Sequence, residues 1–211
     1  MYLSQHIDNV LESKKNKLVG TVGYYKFISI LNKSFNSKDL KFKFESFSDI
    51  EEDYYTVSGL YDMAKDVRYV ILNFSDRKID FNLTEECWNS FKFFISQVIQ
   101  HETIHQNQWM QRDEVVEPVE CDFKILFGSS SKEEEMDYLS DPEEIDAYAH
   151  DIAMEIKFFY KQKDPYDVLR NINKLRKIPS YSIYKKAFRG CDWNDIKKSL
   201  LLKTYKWIPY A

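Results

Sequence analysis

The sequence is poor in the residues that interrupt helices and form tight turns. Among its 211 residues only five are glycine and five are proline, whereas 44% are hydrophobic and 16% are aromatic. Few glycines and prolines favour helices over a succession of tight turns, and the apolar content excludes general disorder. Because a chain of this length buries one good core, we expect a single helix-rich domain.

Cysteines and long apolar runs are also scarce. Cys87, Cys121 and Cys191 are widely spaced, which fits neither a disulfide framework nor a cysteine zinc site, so we expect free thiols in a reducing compartment. No run of about 18 apolar residues could cross a membrane. The first residues, with Asp8 and Glu12, lack the apolar segment of a signal peptide. These absences together predict a cytoplasmic protein without a membrane partner.

Histidine occurs only four times, and two of the four lie in residues 101–105, which read His-Glu-Thr-Ile-His. On a helix, His101 and His105 lie one above the other and can point both imidazoles at one metal ion. In such motifs the two histidines bind Zn²⁺ and the glutamate, here Glu102, acts as general base on the metal-bound water. The alternative is a pair of surface histidines without metal.

The helix that carries this motif is predicted to begin near Thr84, whose hydroxyl would cap it, with Glu85 and Glu86 in its first turn. Side chains spaced alternately four and three residues apart form one stripe along the helix: Cys87, Phe91, Phe94, Val98, His101 and His105. The histidine pair is therefore predicted to continue the buried face. Buried polar side chains need partners, and a metal ion would be one.

A catalytic zinc ion usually takes three protein ligands, so the motif needs one more. The metzincin pattern, with a glycine and then a third histidine after the motif, is excluded because Gln108 and Gln111 occupy those positions. The other common third ligand is a glutamate on a downstream helix. Glu144 is our first choice, and Glu143 is the alternative.

The helix that carries Glu144 is predicted to begin with Asp141 as its N-cap and proline at the first helical position. In that frame Glu144 would also suit a capping box, in which its carboxylate accepts from the N-cap backbone. Tyr148 lies one turn further on, where its hydroxyl could stabilise an oxyanion, although a core role is the simpler interpretation. For His150 we expect a surface or supporting role and not ligation.

Other segments give the expected fold class. Residues 40–44 alternate strictly, residues 54–61 are rich in strand formers, and residues 68–74 form a nearly continuous apolar run, which predicts three strands. Gly59 is predicted to mark a bulge or a close approach. We expect an α+β fold with a small, mostly antiparallel sheet, the motif helix, a downstream ligand helix and a helical C-terminal region. Further segments are predicted as helices (2–15 and 24–35) and as a hairpin (115–127).

Charge is strongly segregated although the formal net charge is only −4. Residues 101–156 contain 16 acidic and 3 basic residues, whereas residues 157–211 contain 14 basic and 4 acidic ones. The basic region could dock on the acidic one or bind an external polyanion. We expect docking, because the apolar stripe Leu169, Ile172, Leu175 and Ile178 needs a core to cover it. Nucleic acid is not the expected partner.

Three segments together resemble a known family. The strand at 68–74, the motif at 101–105 followed by Gln106, and residues 144–149 (Glu-Ile-Asp-Ala-Tyr-Ala) resemble a compact zincin of the gluzincin type, similar to small predicted metallopeptidases encoded by tailed phages and bacteria. The resemblance covers about residues 40 to 160, and its specific core is the five-residue motif. It implies a zinc peptidase with ligands His101, His105 and Glu144. It also implies Glu102 as the catalytic base.

The resemblance departs from the larger gluzincins at one position, because Tyr148 stands where those proteins often carry an aspartate. We expect N-terminal helices (1–38), a zincin-like core (39–161) and a basic helical region packed on that core (162–211), all within one domain. The expected function is hydrolysis of protein or peptide amide bonds. The alternative is a catalytically silent binding or structural protein of the same fold that holds a partner with its C-terminal region. Glu102 favours the peptidase, since a structural zinc site has no use for a base.

Overall fold

The structure is a computed structural model, which describes residues 3–48, 50, 54–112, 131–188 and 193–211. The chain divides into two compact units, Met1–Arg112 and Asp113–Ala211. The expected α+β class, with small sheets and a helical C-terminal region, is confirmed. The predicted hairpin at 115–127, Cys121 and Cys191 lie outside the described residues. The three-part division within one domain stays a prediction.

The first unit contains four helices and five strands in its described residues. In chain order they are α1 (Leu3–Glu12), α2 (Lys15–Leu18), β1 (Gly20–Gly23), α3 (Tyr24–Phe35), β2 (Leu40–Phe47), β3 (Tyr55–Asp62), β4 (Val67–Ser75), β5 (Asp80–Leu83) and α4 (Trp88–Met110). The predicted helix over 24–35 and the three predicted strands are confirmed. Sequence reasoning missed β1 and β5, because each has only four residues.

Strand β4 lies at the centre of a three-stranded sheet with the order β2-β4-β3. It pairs with β2 in parallel and with β3 antiparallel, so β3 is an edge strand. The central position explains the nearly continuous apolar run of β4, since both of its faces are covered. Strands β1 and β5 form a separate antiparallel pair. Two of the three pairings are thus antiparallel, as predicted.

The core of this unit lies between one sheet face and helices α3 and α4. Aromatic rings fill much of it: Phe27 meets both Phe81 and Phe91 edge to face, at centroid distances of 5.4 and 5.6 Å. Tyr24 stacks on Phe74 at 4.3 Å. Because these rings come from α3, α4, β4 and β5, one aromatic cluster fixes the motif helix against the sheet.

Helix α4 begins later than predicted, and its buried stripe is different. Thr84 closes a turn with Cys87, whose backbone N–H donates to the Thr84 carbonyl, and the helix proper starts at Trp88. Cys87 is exposed, and Phe94, Val98 and both motif histidines are half-buried. Phe91 is the one residue of the predicted stripe that is fully buried, and the buried positions of the helix also include Trp88, Ile95, Ile99, Glu102 and Gln106. The prediction that the histidine pair continues the buried face was therefore wrong, because the pair lies at the border of that face.

The second unit is helical in its described residues. It contains α5 (Lys132–Ser140), α6 (Pro142–Phe159), α7 (Pro165–Arg170), a 3₁₀ turn (Ile172–Lys174), α8 (Pro179–Ala187) and α9 (Trp193–Trp207). Its core gathers α6 against α7, α8 and α9. In the predicted apolar stripe Leu169, Ile172 and Ile178 are buried and Leu175 packs against the core, as expected.

Packing in this unit is apolar and does not depend on opposite charges. Lys203 Nζ lies 3.8 Å from Asp146 and donates to the Pro142 carbonyl at 2.5 Å. Most other basic side chains of α7, α8 and α9 are exposed. Since exposed ion pairs stabilise little, the apolar stripe accounts for the packing of α7, α8 and α9 against α6. No helix among the described residues is long and apolar enough to cross a membrane.

Replacing Ile152 with alanine tests whether this apolar packing holds the second unit together. Ile152 is fully buried on α6, so the cavity should lower the free energy of unfolding by about 2 to 5 kcal/mol. Leu202→Ala is the matched control, because Leu202 is 57% exposed and its loss should cost less than about 0.5 kcal/mol. Urea denaturation followed by circular dichroism measures both. Equal costs for the two variants would contradict the packing.

Candidate metal centre

Helix α4 brings the two motif histidines together on consecutive turns. His101 Nε2 and His105 Nε2 lie 3.1 Å apart, and the ring planes are inclined by 70°. Two nitrogens bound to one tetrahedral zinc ion at 2.0 to 2.1 Å would be about 3.3 Å apart. The donor set and its spacing therefore fit a shared cation, although a hydrogen bond between the rings would suit the same distance.

Gln108 holds the second imidazole in place. Its Oε1 lies 2.9 Å from His105 Nδ1, which fits a hydrogen bond donated by the ring N–H to the amide oxygen. In that tautomer the Nε2 lone pair faces His101. Ligand histidines in metal sites are usually oriented by such a bond on the other nitrogen. Gln108, one of the two residues that exclude the metzincin pattern, thus orients the imidazole of His105.

Glu102 lies at the interface between α4 and the edge strand β3. Its side chain is 6% exposed, and its carboxylate occupies the space beside Gly59 that any larger residue would fill. The predicted close approach at Gly59 is therefore confirmed. The glutamate faces the sheet of its own unit while the histidines remain at the border of the buried face.

Two further hydrogen bonds tie this end of α4 to β4 and to the turn before it. Arg68 on β4 donates from Nη1 to Thr103 Oγ1 at 2.6 Å, and the Thr103 hydroxyl donates to the Ile99 carbonyl at 2.6 Å. Gln106 Nε2 donates to Asp66 Oδ1 at 2.7 Å. These bonds hold Thr103, which lies between the two histidines, and Gln106, which follows the second one, so this part of the motif has little freedom to rotate.

Asp66 is the acceptor at which several of these contacts meet. It occupies the left-handed region with φ +50° in the turn between β3 and β4, a conformation that aspartate tolerates better than most residues. It also accepts a 2.9 Å hydrogen bond from the Tyr61 hydroxyl. Burial, followed by the hydrogen bond to Asp66, raises the pKa of Tyr61 to about 12. Sequence reasoning missed Asp66 and Tyr61, because neither belongs to a motif.

Glu144 stands in the first turn of α6, where the capping-box alternative can be examined. Asp141 caps the helix, since its side chain accepts from the Glu143 backbone N–H at 2.7 Å. The Asp141 backbone N–H instead donates to the Tyr138 carbonyl at 3.1 Å. The bond that a capping box requires from Glu144 is therefore already made by another acceptor, and that interpretation was wrong.

The predicted third ligand lies on a different unit from the histidine pair: His101 and His105 are on α4 of the first unit, and Glu144 is on α6 of the second. The choice of Glu144 over Glu143 stays a prediction.

Tyr148 is half-buried in the core of the second unit. Its ring meets Tyr184 edge to face at a centroid distance of 5.3 Å. Tyr184 is fully buried, and its hydroxyl has no hydrogen-bond partner among the described residues. Burial, with the nearby Tyr148 and Glu144, raises the pKa of Tyr184 well above its ordinary value. Tyr184 thus belongs to the core of the second unit.

His150 is 4% exposed and meets the Trp207 ring edge to face at 5.0 Å. Its Nδ1 lies 4.0 Å from Asp151 Oδ1. The expected surface position was wrong, because α9 covers this side of α6. Trp207 in turn donates from Nε1 to Asp146 Oδ1 at 3.2 Å, so the aromatic contact belongs to the packing of α9 on α6.

Comparisons of the chain with protein-family models, with curated proteins and with solved structures gave no match. The zincin resemblance therefore depends on the residues of this sequence alone.

Replacing Tyr61 with phenylalanine tests the hydrogen bonds to Asp66. The loss of a bond to a charged acceptor should lower the free energy of unfolding by about 1.5 to 3 kcal/mol at neutral pH. Because the folded chain keeps the Tyr61 proton up to about pH 12 and the unfolded chain loses it near about pH 10, wild-type stability should fall across this interval. The free energy of unfolding of Tyr61→Phe should fall less steeply with pH, because this variant lacks the one proton that Tyr61 holds more tightly in the folded chain.

Urea unfolding at pH 8 and at pH 11 measures both effects. Tyr25→Phe is the control, because Tyr25 is 82% exposed and should change neither the stability nor its pH dependence. An identical pH dependence in wild type and Tyr61→Phe would show that Tyr61 does not hold its proton as described.

Proposed function

We propose that the chain is a zinc-dependent peptidase, with His101, His105 and Glu144 as the zinc ligands and Glu102 as the general base. The observation that carries the proposal is the pair of imidazole nitrogens 3.1 Å apart on α4, and Glu144 is the third ligand that the zincin resemblance implies. Two histidines and one glutamate form the ligand set of many zinc hydrolases.

A bound zinc ion would supply a hydroxide-like nucleophile at neutral pH by lowering the pKa of its water from about 15.7 to about 7. The protein residues do the remaining work. Glu102 accepts the proton of the attacking water on its carboxylate and passes it to the leaving nitrogen. Gln108 keeps the Nε2 lone pair of His105 directed at the site, and Arg68 and Asp66 hold the helix that carries all of these groups.

The substrate class follows from the chemistry and not from a recognised pocket. An activated water beside a buried general base suits hydrolysis of amide bonds, so we infer a protein or peptide substrate. Tyr148 remains a proposed oxyanion-stabilising residue, although its ring contact with Tyr184 equally suits a core role. We place the protein in the cytoplasm, which would be that of the host cell if the chain is phage-encoded.

The second candidate is a catalytically silent binding or structural protein of the zincin fold, of a phage-related kind. The observation in its favour is the exposed face of the C-terminal helices, which includes Tyr205 at 57%, Tyr210 at 66% and Leu202 at 57% exposure. Such a protein would have no use for a general base. The presence of Glu102 in the motif therefore favours the peptidase.

Replacing His101 with alanine should abolish stoichiometric zinc, because two remaining ligands hold the ion poorly. Glu144→Ala should lower the zinc affinity strongly, whereas Glu143→Ala serves as the matched control on the same helical turn and should keep one equivalent. Metal analysis of the purified variants after dialysis measures the stoichiometry. A full equivalent in Glu144→Ala together with a loss in Glu143→Ala would reverse the ligand assignment.

Glu102→Gln should keep zinc and lose turnover. The amide preserves the shape of the side chain but cannot accept the proton, so hydrolysis should fall by about 10² to 10⁴. The measurement is cleavage of fluorescein-labelled casein by the zinc-loaded proteins, with zinc content determined on the same samples. Equal rates in wild type and Glu102→Gln would remove Glu102 from the mechanism, and a zinc-loaded wild type that cleaves no protein or peptide would favour the silent alternative.

A further inference from the structure

Strand β3 has a glycine where it passes the motif helix. A Cβ atom built on Gly59 would lie 2.2 Å from Glu102 Oε1, 2.7 Å from its Cδ and 2.7 Å from its Cγ. Real side chains do not approach this closely, because the van der Waals contact distance between carbon atoms is about 3.5 to 4.0 Å. Any residue other than glycine at this position would therefore have to displace the Glu102 side chain.

The backbone of Gly59 does not itself require glycine. Gly20 is the glycine with positive φ in the described residues, so the conformation of Gly59 is open to other residues. Gly59 pairs with Val70 in the regular register between β3 and β4. Since neither the backbone nor the pairing selects glycine, the need for it arises from the space that Glu102 occupies.

The helix cannot easily retreat to make room for a larger residue. Thr103 and Gln106, which follow Glu102 on the helix, are bound to Arg68 and Asp66 at 2.6 and 2.7 Å. Further along α4, Ile95 and Ile99 are buried in the core of the unit. An added methyl group at position 59 would thus move the flexible carboxylate and not the helix.

We propose that Gly59 is a positioning residue for Glu102. Its Cα provides the surface against which the carboxylate packs, and this contact restricts the orientation of the glutamate side chain within the motif. The catalytic consequence depends on the proposed function. The contact itself does not, so it can be tested without any activity.

The first experiment is a double-mutant cycle on stability with wild type, Gly59→Ala, Glu102→Ala and the double variant. Without a clash, alanine in place of a glycine with ordinary φ should be neutral or slightly stabilising. We expect Gly59→Ala to lower the urea midpoint of wild type and to lose this effect when Glu102 is alanine, because the atoms it meets are gone. The same decrease in both backgrounds would overturn the proposal.

Gly23→Ala is the matched control. The nearest atom to a Cβ at Gly23 is the Ile79 carbonyl oxygen at 3.9 Å, which is ordinary contact. Because Gly23 is the N-cap of α3, where glycine is preferred to alanine, this variant should lower the midpoint only slightly and by the same amount whether residue 102 is glutamate or alanine. A decrease as large as that of Gly59→Ala would show that the effect reflects glycine in a strand and not the contact with Glu102.

The second experiment measures zinc content and casein cleavage in Gly59→Ala. Zinc should stay at the wild-type level, because the histidines are untouched, while kcat should fall by about 10², as expected when a catalytic group moves by about 1 Å. KM should change little. Unchanged kcat with a displaced Glu102 would overturn the positioning role. A wild type without any cleavage but with the stability coupling intact would refute the proposed function and leave the packing contact supported.

Discussion

The rotation of helix α4 about its own axis is the constraint on which the site depends. Phe91, Ile95 and Ile99 are buried in the aromatic core of the first unit. Only one rotation of the helix about its axis buries all three side chains. That rotation presents Glu102 to the sheet and leaves His101 and His105 half-buried beside it. The hydrophobic core therefore determines the direction of the imidazoles, as expected when a site is built on a regular element.

The sheet supports this arrangement through three residues that lie close together in sequence and contact the distant helix α4. Residues Gly59, Asp66 and Arg68 fall on β3, on β4 or in the turn between them, and each contacts the last turns of α4. The β3–β4 hairpin thus holds α4 in three ways: Gly59 leaves space for Glu102, Asp66 accepts a hydrogen bond from Gln106, and Arg68 donates one to Thr103. Because such contacts fail together if the hairpin shifts, the precision of the candidate site is tied to the pairing of β3 with β4.

Sequence reasoning succeeded where one periodic signal dominated. The apolar run of β4, the alternation of β2 and the cap at Asp141 all identified their elements, and the glycine at 59 indicated a close approach. It failed where the outcome depended on neighbours distant in sequence. The predicted stripe through Cys87 and Phe94 followed a helical period and included the buried Phe91. It was rotated away from the buried face, because the core of the unit takes up Ile95 and Ile99.

Sequence reasoning could not identify the supporting residues of the site for the same reason. Tyr61 and Asp66 belong to no motif, and their roles arise only when a turn with positive φ brings them to Gln106. The strands β1 and β5 are too short to show a period of two. The five-residue motif, by contrast, places both histidines through local helix geometry alone, which explains why that part of the candidate site could be read directly.

Glu144 illustrates how a local signal can support two interpretations until the surrounding bonds are known. Its position, the third residue of a helix capped by aspartate, is the one at which a glutamate normally folds back on the cap. Here the Tyr138 carbonyl already accepts from the Asp141 backbone N–H, and the Asp141 carboxylate accepts from Glu143. The cap is thus complete without Glu144. Meanwhile the positive end of the helix dipole favours a negative charge at this turn, and a charged carboxylate is the form in which a glutamate binds a metal ion.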